Sequence, residues 1–433
     1  MMEAYHSELL KNIPKNWQTK PIREINTYRN VNINPYEFKD EIFEYYSIPA
    51  YQTGQTPLFT KGIDIQSNKL LFDEGTVVFG KLNPRVEKVW RIGCHSKCRK
   101  IGTTEWIAVK PNNDLLPDFL YFLEWSDFVM PLAKIFVTGS TPSRQRVDPS
   151  SFYKINIPVP PLPEQRRIAY ILCTVQKAIE QQYKLIRVAT ELKKALMQKL
   201  FTEGTKGEKQ KMTEIGLVPE SWEVQPFENT GEVVYGIQAA VASNLKPVGH
   251  KILTNKNITL DGKIDLEKIN YFELSSKRHF ATILKKGDLL FNWRSGSKEH
   301  VGKTAIFDLE ENEYVHSSFI LRIRVNENHN AHFLFYYLNY LREAGYYQKV
   351  QTFSVNAKFN KSAINAMPIA LPKKKVQDEI GSIISIIDKK IDNYKSKYSL
   401  LSSLFRTLLH ELMTGTRRVH EIEFDKMPEA VNA

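Results

Sequence analysis

Residues 160–179 read PPLPEQRRIAYILCTVQKAI, and this stretch decides the fold. Its prolines mark the entry to a helix, because proline is tolerated only at a helix start and restrains the residue that precedes it to an extended conformation. The apolar residues that follow recur at steps of four and three, as on one face of a helix. The stretch therefore predicts a joint, at which an extended segment turns directly into a long amphipathic helix.

The same pattern occurs a second time. The segment INIPVPPLPEQRRIAYIL matches AMPIALPKKKVQDEIGSII later in the chain, at a constant offset of 212 residues. The match continues without a gap to the ends of both segments. The aligned pairs include Pro160 with Pro372, Gln165 with Gln377, Ile168 with Ile380, and Phe201 with Met413.

Both segments carry the heptad pattern of a coiled coil. From Ile380 to Leu412 all ten seam positions are apolar, and in the earlier copy eight of ten are, the exceptions being Gln182 and Lys193. Gly204 and Gly415 follow the two segments, as helix stops often do. At about 1.5 Å per residue, each helix would span roughly 55 Å. If the region between them is compact, its ends lie close together, so the second helix runs back antiparallel to the first.

Shorter echoes show that the globular regions before each helix are also repeated. NIPKNWQTKPI (12–22) matches LVPESWEVQPF (217–227), and LLFDEGTVVFGKLNPR (70–85) matches TILKKGDLLFNWRSGS (282–297). The second pair predicts a turn, a short buried strand and then a polar, basic loop. We therefore expect an α+β protein with two pseudo-repeated mixed α/β domains, joined by two long helices that form an antiparallel coiled coil.

Composition narrows the class of protein. The 433 residues include 60 Lys and Arg against 48 Asp and Glu, a formal charge of +12, which favours a polyanionic partner such as nucleic acid. Three cysteines are too few for a disulfide framework and indicate a reducing compartment. No run of about 18 apolar residues occurs. The expectation is a cytoplasmic protein without membrane contact.

The motifs of an enzyme are missing from the sequence. LNPRV lacks the second proline and the aromatic residue of an amino-methyltransferase motif, and no Gly-rich loop ends in Gly-Lys-Ser or Gly-Lys-Thr. Glu37 and Lys39 have the spacing of a nuclease motif, but no strand with an upstream metal-binding aspartate is evident. CHSKC (94–98) offers three zinc ligands where a structural site needs four, which favours free thiols. The sequence thus predicts neither a metal site nor a catalytic site.

The order of globular region, PVPPLPEQRRIAYIL helix, second globular region and second helix resembles the specificity subunit of Type I restriction-modification systems. The resemblance runs from about Pro14 to about Arg418; the second copy departs from it, with LPKKKVQDEI in place of PLPEQRRI. It implies target recognition domains at 1–158 and 204–370, spacer helices at 159–203 and 371–415, and a tail at 416–433. It also implies a non-catalytic subunit that reads a bipartite, asymmetric site in double-stranded DNA. Two adenine methyltransferase subunits and the restriction/translocase subunits would bind to it, and S-adenosylmethionine and ATP with magnesium would be needed only by those partners.

Candidate DNA contacts are polar and basic residues in loops after the repeated strand and near the end of each globular region. In the first half these are Lys81, Asn83, Arg85, Lys88, Ser140, Thr141, Ser143, Arg144, Gln145 and Arg146. In the second half they are Asn292, Arg294, Ser295, Ser297, Lys298, Lys303, Asn356, Lys358 and Asn360. Weaker candidates are Tyr51, Gln52, Gln55, Gln238 and Asn255. Trp293 suits either the core or a stacking role.

Two other functions fit parts of the sequence. An autonomous site-specific DNA-binding protein would use the coiled coil only for internal spacing and would bind no methyltransferase. A restriction enzyme in one chain would need catalytic residues that the sequence does not show. Co-purification with a methyltransferase subunit separates the first alternative from a specificity subunit.

Overall fold

A computed structural model of the protein describes residues 2–237, 245–310, 312–350 and 359–422. These residues form two compact units. The first unit contains the chain up to Gln182 together with the segment from Lys397 onward, and the second contains Tyr183–Ser396. Each of the two long helices therefore contributes residues to both units.

The first unit is built from short strands and helices that precede the first long helix. The helices are α1 (Met2–Lys11), α2 (Ile22–Ile25), α3 (Ile48–Gln52), α4 (Pro117–Trp125), α5 (Met130–Ile135), α6 (Pro149–Phe152) and the long α7 (Leu162–Glu203). The strands are β1 (Gln18–Pro21), β2 (Asn32–Ile33), β3 (Ile42–Tyr46), β4 (Leu58–Lys61), β5 (Lys69–Phe72), β6 (Val77–Gly80), β7 (Val89–Arg91), β8 (Lys100–Gly102), β9 (Trp106–Val109), β10 (Val137–Thr138), β11 (Arg146–Val147) and β12 (Asn156–Val159). They form a five-stranded sheet in the order β2-β5-β8-β3-β4, a three-stranded sheet β7-β6-β9, and the pairs β1-β12 and β10-β11.

The second unit repeats this mixed architecture. Its strands are β13 (Gln210–Thr213), β14 (Gly216–Pro219), β15 (Glu223–Pro226), β16 (Gly231–Tyr235), β17 (Leu245–Lys246), β18 (His250–Leu253), β19 (Asn270–Phe272), β20 (Leu289–Asn292), β21 (Thr304–Ile306), β22 (Tyr314–His316), β23 (Ile320–Val325) and β24 (Pro368–Leu371). Its helices are α8 (Lys277–Phe280), α9 (Ala331–Glu343), α10 (Tyr346–Val350), α11 (Lys361–Ala366) and α12 (Lys374–Thr414). Two four-stranded sheets, β16-β23-β20-β21 and β17-β19-β18-β22, are accompanied by the pairs β13-β14 and β15-β24.

The repeated segments around Gly75 and Gly287 form the same local structure in both units. Each glycine has a positive φ, +77° and +88°, in the turn that leads into β6 and β20. Glycine suits that left-handed conformation because it has no Cβ. Both strands that follow are buried at every residue, which confirms the predicted turn and short buried strand.

The two ends of each globular region are held together by strand pairing. In the first unit β1 pairs antiparallel with β12, so that Gln18 lies opposite Val159. In the second unit β15 pairs antiparallel with β24, so that Glu223 lies opposite Leu371. The second region therefore ends next to where it begins, which confirms the expectation on which the antiparallel arrangement of the long helices was based.

Seam residues near one end of each long helix are buried in the first unit. Ile168, Leu172 and Val175 of α7 share a hydrophobic core with Leu408 and Leu412 of α12. The start of α7 therefore lies with the end of α12. This is the antiparallel arrangement that the sequence predicts.

The second unit contains the other ends of the two helices. Leu200 near the end of α7 shares a core with Ile380 and Ile384 near the start of α12. The seam exception Lys193 lies with its Nζ 2.6 Å from Oδ1 of Asp388, and these side chains are only 19% and 16% exposed. An ion pair across the helices thus occupies the place of an apolar seam contact. Both helices end where predicted, since Gly204 and Gly415 follow them with positive φ angles of +70° and +71°.

A buried glutamine fixes the start of α7. The Nε2 of Gln165 donates to the carbonyl oxygens of Pro160 at 2.7 Å and Asp114 at 2.8 Å. Its Oε1 accepts the backbone N–H of Leu116 at 2.8 Å. Because Leu116 precedes α4, the side chain joins the long helix to the start of a core helix.

The aligned Gln377 makes the equivalent connection at α12. Its Nε2 donates to the carbonyl oxygen of Pro372 at 2.9 Å and lies 3.1 Å from Nδ1 of His329. Its Oε1 accepts the backbone N–H of Asn330, the residue before α9, at 3.0 Å. The glutamine of EQRRI and that of the aligned VQDEI therefore have the same structural role, which is to join the start of a long helix to the start of a core helix.

The glutamate of PLPEQRRI has no counterpart in the second copy, and the structure shows the effect. Glu164 accepts a hydrogen bond from Nε1 of Trp17 at 2.9 Å and pairs with Arg418 at 3.0 Å. In the second copy Val376 takes the place of Glu164. The indole Nε1 of the aligned Trp222 is buried and has no hydrogen-bond partner among the described residues.

A fully buried histidine should make the stability of the second unit depend on pH. Nδ1 of His316 lies 3.2 Å from the carbonyl oxygen of Ile320, and Nε2 has no hydrogen-bond partner in the described chain. Burial, with a smaller contribution from Arg322 and Arg324, lowers the pKa of His316 to about 3. The folded state therefore stays neutral at pH values where an unfolded histidine, with a pKa of about 6.5, takes up a proton.

Stability from this histidine is full above pH 6.5 and falls as the pH drops towards the folded pKa. Between pH 7 and pH 5 we expect a loss of about 2 kcal/mol in the free energy of unfolding. Urea unfolding of the wild type and of His316→Gln at pH 7 and pH 5 measures how much of the pH dependence of the free energy of unfolding the variant removes. An unchanged pH dependence in the variant would contradict the prediction.

Candidate nucleic-acid interface

The two candidate loops of the first unit lie side by side. The loop of residues 81–88 connects β6 to β7, and the loop of residues 139–145 connects β10 to β11. The backbone N–H of Asn83 donates to the carbonyl oxygen of Gln145 at 2.9 Å, and that of Val147 donates to Lys81 at 3.1 Å. We call these two segments the first loop pair. Residues that the sequence separates by about sixty positions thus form one polar surface.

The candidates of the first loop pair differ in exposure. Exposed residues are Arg85, Ser140, Thr141, Ser143, Arg144 and Arg146, whereas Lys81, Asn83 and Gln145 are half-buried. Arg146 is ion-paired, with its Nη2 3.1 Å from Oε1 of Glu105. Among the exposed cations of this surface, Arg85 and Arg144 therefore have no ion pair with the described residues.

Lys88 supports its own loop. It is 4% exposed, and its Nζ donates to the carbonyl oxygens of Val86 and, at 3.3 Å, Asn83. Burial lowers the pKa of this lysine. The sequence suggested a surface cation here, but the structure directs the ammonium into the loop, where it satisfies backbone carbonyls.

The equivalent lysine of the second unit behaves in the same way. Lys303 is 5% exposed, and its Nζ donates to the carbonyl oxygens of Asn255 and Ile258, both at 2.6 Å. Asn292 is also buried, and its Nδ2 donates to the carbonyl oxygen of His300 at 2.8 Å. Both candidates therefore shape the loop after β20 and are not surface groups, because the long loop would otherwise leave buried carbonyls unpaired.

The surface of the second loop, residues 293–302, is formed by other candidates. Arg294 and Lys298 are exposed, whereas Ser295 and Ser297 are half-buried. The guanidinium of Arg294 lies 5.6 Å from the ring centre of Phe319, which is 40% exposed. Phe319 was not predicted, because nothing in its local sequence shows that the fold places it beside this loop.

Trp293 is built into the unit. Its Nε1 donates to the carbonyl oxygen of Ser318 at 2.6 Å, and its ring meets Tyr235 edge-on at 5.5 Å. The ring packs against the core of the second unit. These contacts favour the structural alternative for this residue.

The remaining candidates have separate positions. Asn360 is exposed, and its side chain accepts the backbone N–H of Ala363 as the cap of α11. The neighbouring Phe359 donates its backbone N–H to the carbonyl oxygen of Trp293 at 2.8 Å, which connects this segment to the second loop. Asn356, Lys358 and Gln238 lie outside the described residues.

The weak candidates near residue 51 include one packed residue and two exposed ones. Tyr51 lies in an aromatic cluster with Trp90 and Trp106, at ring distances of 5.8 Å and 5.9 Å. Gln52 and Gln55 are exposed. The Tyr51 hydroxyl accepts the backbone N–H of Val89 at 3.4 Å, and with its ring contacts this makes Tyr51 a packing group.

Neither the cysteines nor the other potential metal ligands of the described residues form a second site. Cys94, Cys98 and Cys173 are free thiols, and burial raises the pKa of Cys173 to about 11. In the part of the chain that the structure describes, no group of three or more His, Cys, Asp and Glu side chains could hold a metal ion. The described helices also include none that is apolar enough over sufficient length to cross a membrane.

Known proteins share this organisation. A family described as the Type I restriction modification DNA specificity domain matches residues 14–188 and 221–401. The specificity subunit of the Type I restriction enzyme MjaVIII from Methanocaldococcus jannaschii is 23% identical over 438 residues, covering 98% of this chain and 99% of that protein. The EcoKI specificity subunit of Escherichia coli K12 is 24% identical over 285 residues, covering 60% of this chain and 59% of that protein.

Solved structures agree in fold. The S subunit of a Type I restriction-modification system from M. genitalium has a TM-score of 0.60 at 14% identity, covering 93% of this chain and 96% of that one. Each of the two family matches covers most of one globular region and continues into one long helix, α7 or α12. On this evidence the protein belongs to the family of Type I restriction-modification specificity subunits.

Proposed function

We propose that the protein reads a bipartite, asymmetric DNA site, with each recognition unit reading one half. The observation that carries this proposal is that equivalent loops with different chemistry follow β6 and β20. The first loop pair offers Arg85 and Arg144, whereas the second loop offers Arg294 and Lys298 beside Phe319. A repeated scaffold with different side chains at the reading position suits two different half-sites.

The chemistry of these loops suits contact with duplex DNA. Exposed Arg and Lys side chains bind phosphates and give affinity that decreases as salt rises. Serine, threonine and glutamine side chains of the first loop pair can form hydrogen bonds with base edges. The formal charge of +12 on the chain supports such a partner.

We further propose that the long helices hold two methyltransferase subunits and, through them, the restriction subunits. Support comes from two exposed apolar pairs at equivalent positions. Val188 and Leu192 on α7 are 56% and 57% exposed, and Leu400 and Leu404 on α12 are 71% and 43% exposed. The pairs are related by the same offset of 212 residues, so two copies of one partner could use them. Methylation, cleavage and their cofactors belong to the partners in this proposal.

Exchange of one recognition region tests the reading of half-sites. Residues 15–155 are replaced by the corresponding region of another specificity subunit, and the chain is expressed with its methyltransferase subunit. Sequencing of methylated adenines should show a motif that changes in its first half and keeps its second half and its gap.

Co-purification with the methyltransferase serves as the control for assembly. A motif that changes in both halves would contradict independent reading by the two units. Tight site-specific binding by the chain, with no complex formed with the methyltransferase, would contradict the scaffold role.

A further inference from the structure

The first unit contains a cleft of about 380 Å³ beside the first loop pair. This volume is in the range of small-molecule sites. Residues of β2, β5, β9 and α6 line the cleft, together with residues of the segment that enters β2 and of the turn before β9. The lining includes Tyr28, Asn30, Asn32, Lys81, Trp106 and Tyr153.

The aromatic walls of the cleft are fixed, and their polar atoms are already bonded within the protein. Nε1 of Trp106 donates to the carbonyl oxygen of Tyr46 at 2.9 Å. The hydroxyl of Tyr28 donates to Leu71 at 3.1 Å, and that of Tyr153 donates to Ala108 at 3.0 Å. Trp106 is only 2% exposed, so the half-buried rings of Tyr28 and Tyr153 are the ones that offer apolar surface to a ligand, and their hydroxyls need no further partner.

The polar groups at the rim have unused hydrogen-bonding capacity. The side chains of Asn30, Asn32 and Lys81 form no hydrogen bond within the described part of the chain, and both asparagines are exposed. Because they are two residues apart on the extended segment that enters β2, the asparagines point to the same side. Lys81 is half-buried and burial lowers its pKa, so a bound anion would stabilise its charge.

The cleft lies beside the proposed DNA-binding surface. Lys81 lines the cleft and is also the first residue of the first loop pair. Its carbonyl oxygen accepts the backbone N–H of Val147, which follows the second segment of that pair. A DNA strand held by the loop pair would therefore pass the mouth of the cleft.

Aromatic walls, two free amides and one ammonium group together match a nucleotide. Aromatic rings bind the faces of bases, asparagine forms hydrogen bonds with base edges, and lysine binds phosphate. We propose that the cleft accepts one unstacked nucleotide of the bound DNA. Asn30 and Asn32 contact the edge of its base, and Lys81 contacts its phosphate. This inference rests on the proposed reading of DNA by the first unit.

Single mismatches in the recognised DNA test the proposal. Unstacking a paired base costs a few kcal/mol, and a mismatch removes part of that cost. The complex with methyltransferase subunits is titrated with duplexes that carry one mismatch at each position of the first half-site. At one position the mismatch should tighten binding by roughly 10-fold. Asn32→Trp, which fills the cleft, and the pair Asn30→Ala with Asn32→Ala should abolish that gain.

The variants also separate this cleft from base unstacking by the methyltransferase. If a mismatch still tightens binding in the cleft variants, that gain in affinity arises in the methyltransferase. The proposal is overturned if every such gain persists in the variants, or if no mismatch tightens binding by the wild type. Asn113→Ala, an exposed asparagine of the same unit, is the matched control and should keep the gain. Thermal unfolding of each variant checks the fold, and Asn30→Ala alone serves if Asn32→Trp does not fold.

Failure of the proposed function gives a different result. If the wild-type complex does not distinguish its methylated motif from scrambled DNA, the reading of DNA itself fails, and the cleft proposal falls with it. If the motif is recognised but the cleft variants match the wild type at every position, only the cleft proposal fails. Lys81→Met should weaken binding about 10-fold and reduce the salt dependence, whereas Lys154→Met, at an exposed position, should do so much less.

Discussion

Replacement of Gln165 by alanine is expected to lower the free energy of unfolding of the first unit by about 3–5 kcal/mol. The side chain is fully buried and makes three hydrogen bonds, to Pro160, Asp114 and Leu116. Its removal leaves two carbonyl oxygens and one N–H without their partner, and each unsatisfied buried group costs about 1–3 kcal/mol. A small cavity adds to the loss.

Urea unfolding combined with hydrogen exchange of peptides from each unit measures this effect. The loss should be confined to the first unit. Arg166→Ala is the matched control, since Arg166 is adjacent and exposed, and it should change stability by about 0.5 kcal/mol or less. A loss below about 1 kcal/mol for Gln165→Ala would show that the connection between α7 and α4 contributes little.

The repeat supplies a second control for the same prediction. Gln377→Ala should destabilise the second unit by a similar amount, because Gln377 bonds to Pro372 and Asn330 in the same way. The two variants should therefore show the same pattern of loss in different units. Loss in the same unit for both would contradict the assignment of the helix starts.

Glu164→Ala is expected to cost the first unit about 2–4 kcal/mol. The carboxylate side chain is only 10% exposed, and it binds both the indole of Trp17 and the guanidinium of Arg418. Its loss leaves a buried N–H and a partly buried cation without their acceptor. Arg418→Met in the same background should then cost less than it does alone, and a double-mutant cycle measures that coupling.

The second copy again provides the matched control. Val376 stands at the position equivalent to Glu164 and is half-buried, so Val376→Ala should cost about 1 kcal/mol. Equal losses for Glu164→Ala and Val376→Ala would show that the glutamate acts by packing alone. The unfolding measurements are made in urea at neutral pH for both variants.

Local sequence patterns predicted the framework because they reflect local physics. The prolines at the start of α7 and the glycines at 204 and 415 set the backbone geometry at the helix ends. The heptad pattern sets which helix face is apolar. Each of these effects depends only on residues that are close in the sequence. The antiparallel direction required one further argument, that the ends of the second region meet. Pairing of β15 with β24 confirms it.

The candidate site was less predictable, since the role of a polar residue depends on distant partners. Lys88 and Lys303 look like surface cations in the sequence, yet both are buried and bonded to backbone carbonyls. Phe319 beside Arg294 was missed for the same reason. Asn30 and Asn32 left a faint signal, because polar residues alternate along RNVNIN as on one side of a strand.

By itself the sequence determined the duplication, the two long helices, the glycines that follow them, and the family to which the chain is similar. The helices follow from the apolar periodicity within each segment, and the duplication follows from comparing the two segments. Only the tertiary structure decided which polar groups remain free at the surface and which are bonded inside, and only it formed the cleft. Asn32, Lys81 and Tyr153 meet there from three separate parts of the chain, and contact between such distant residues is set by the packing of whole sheets.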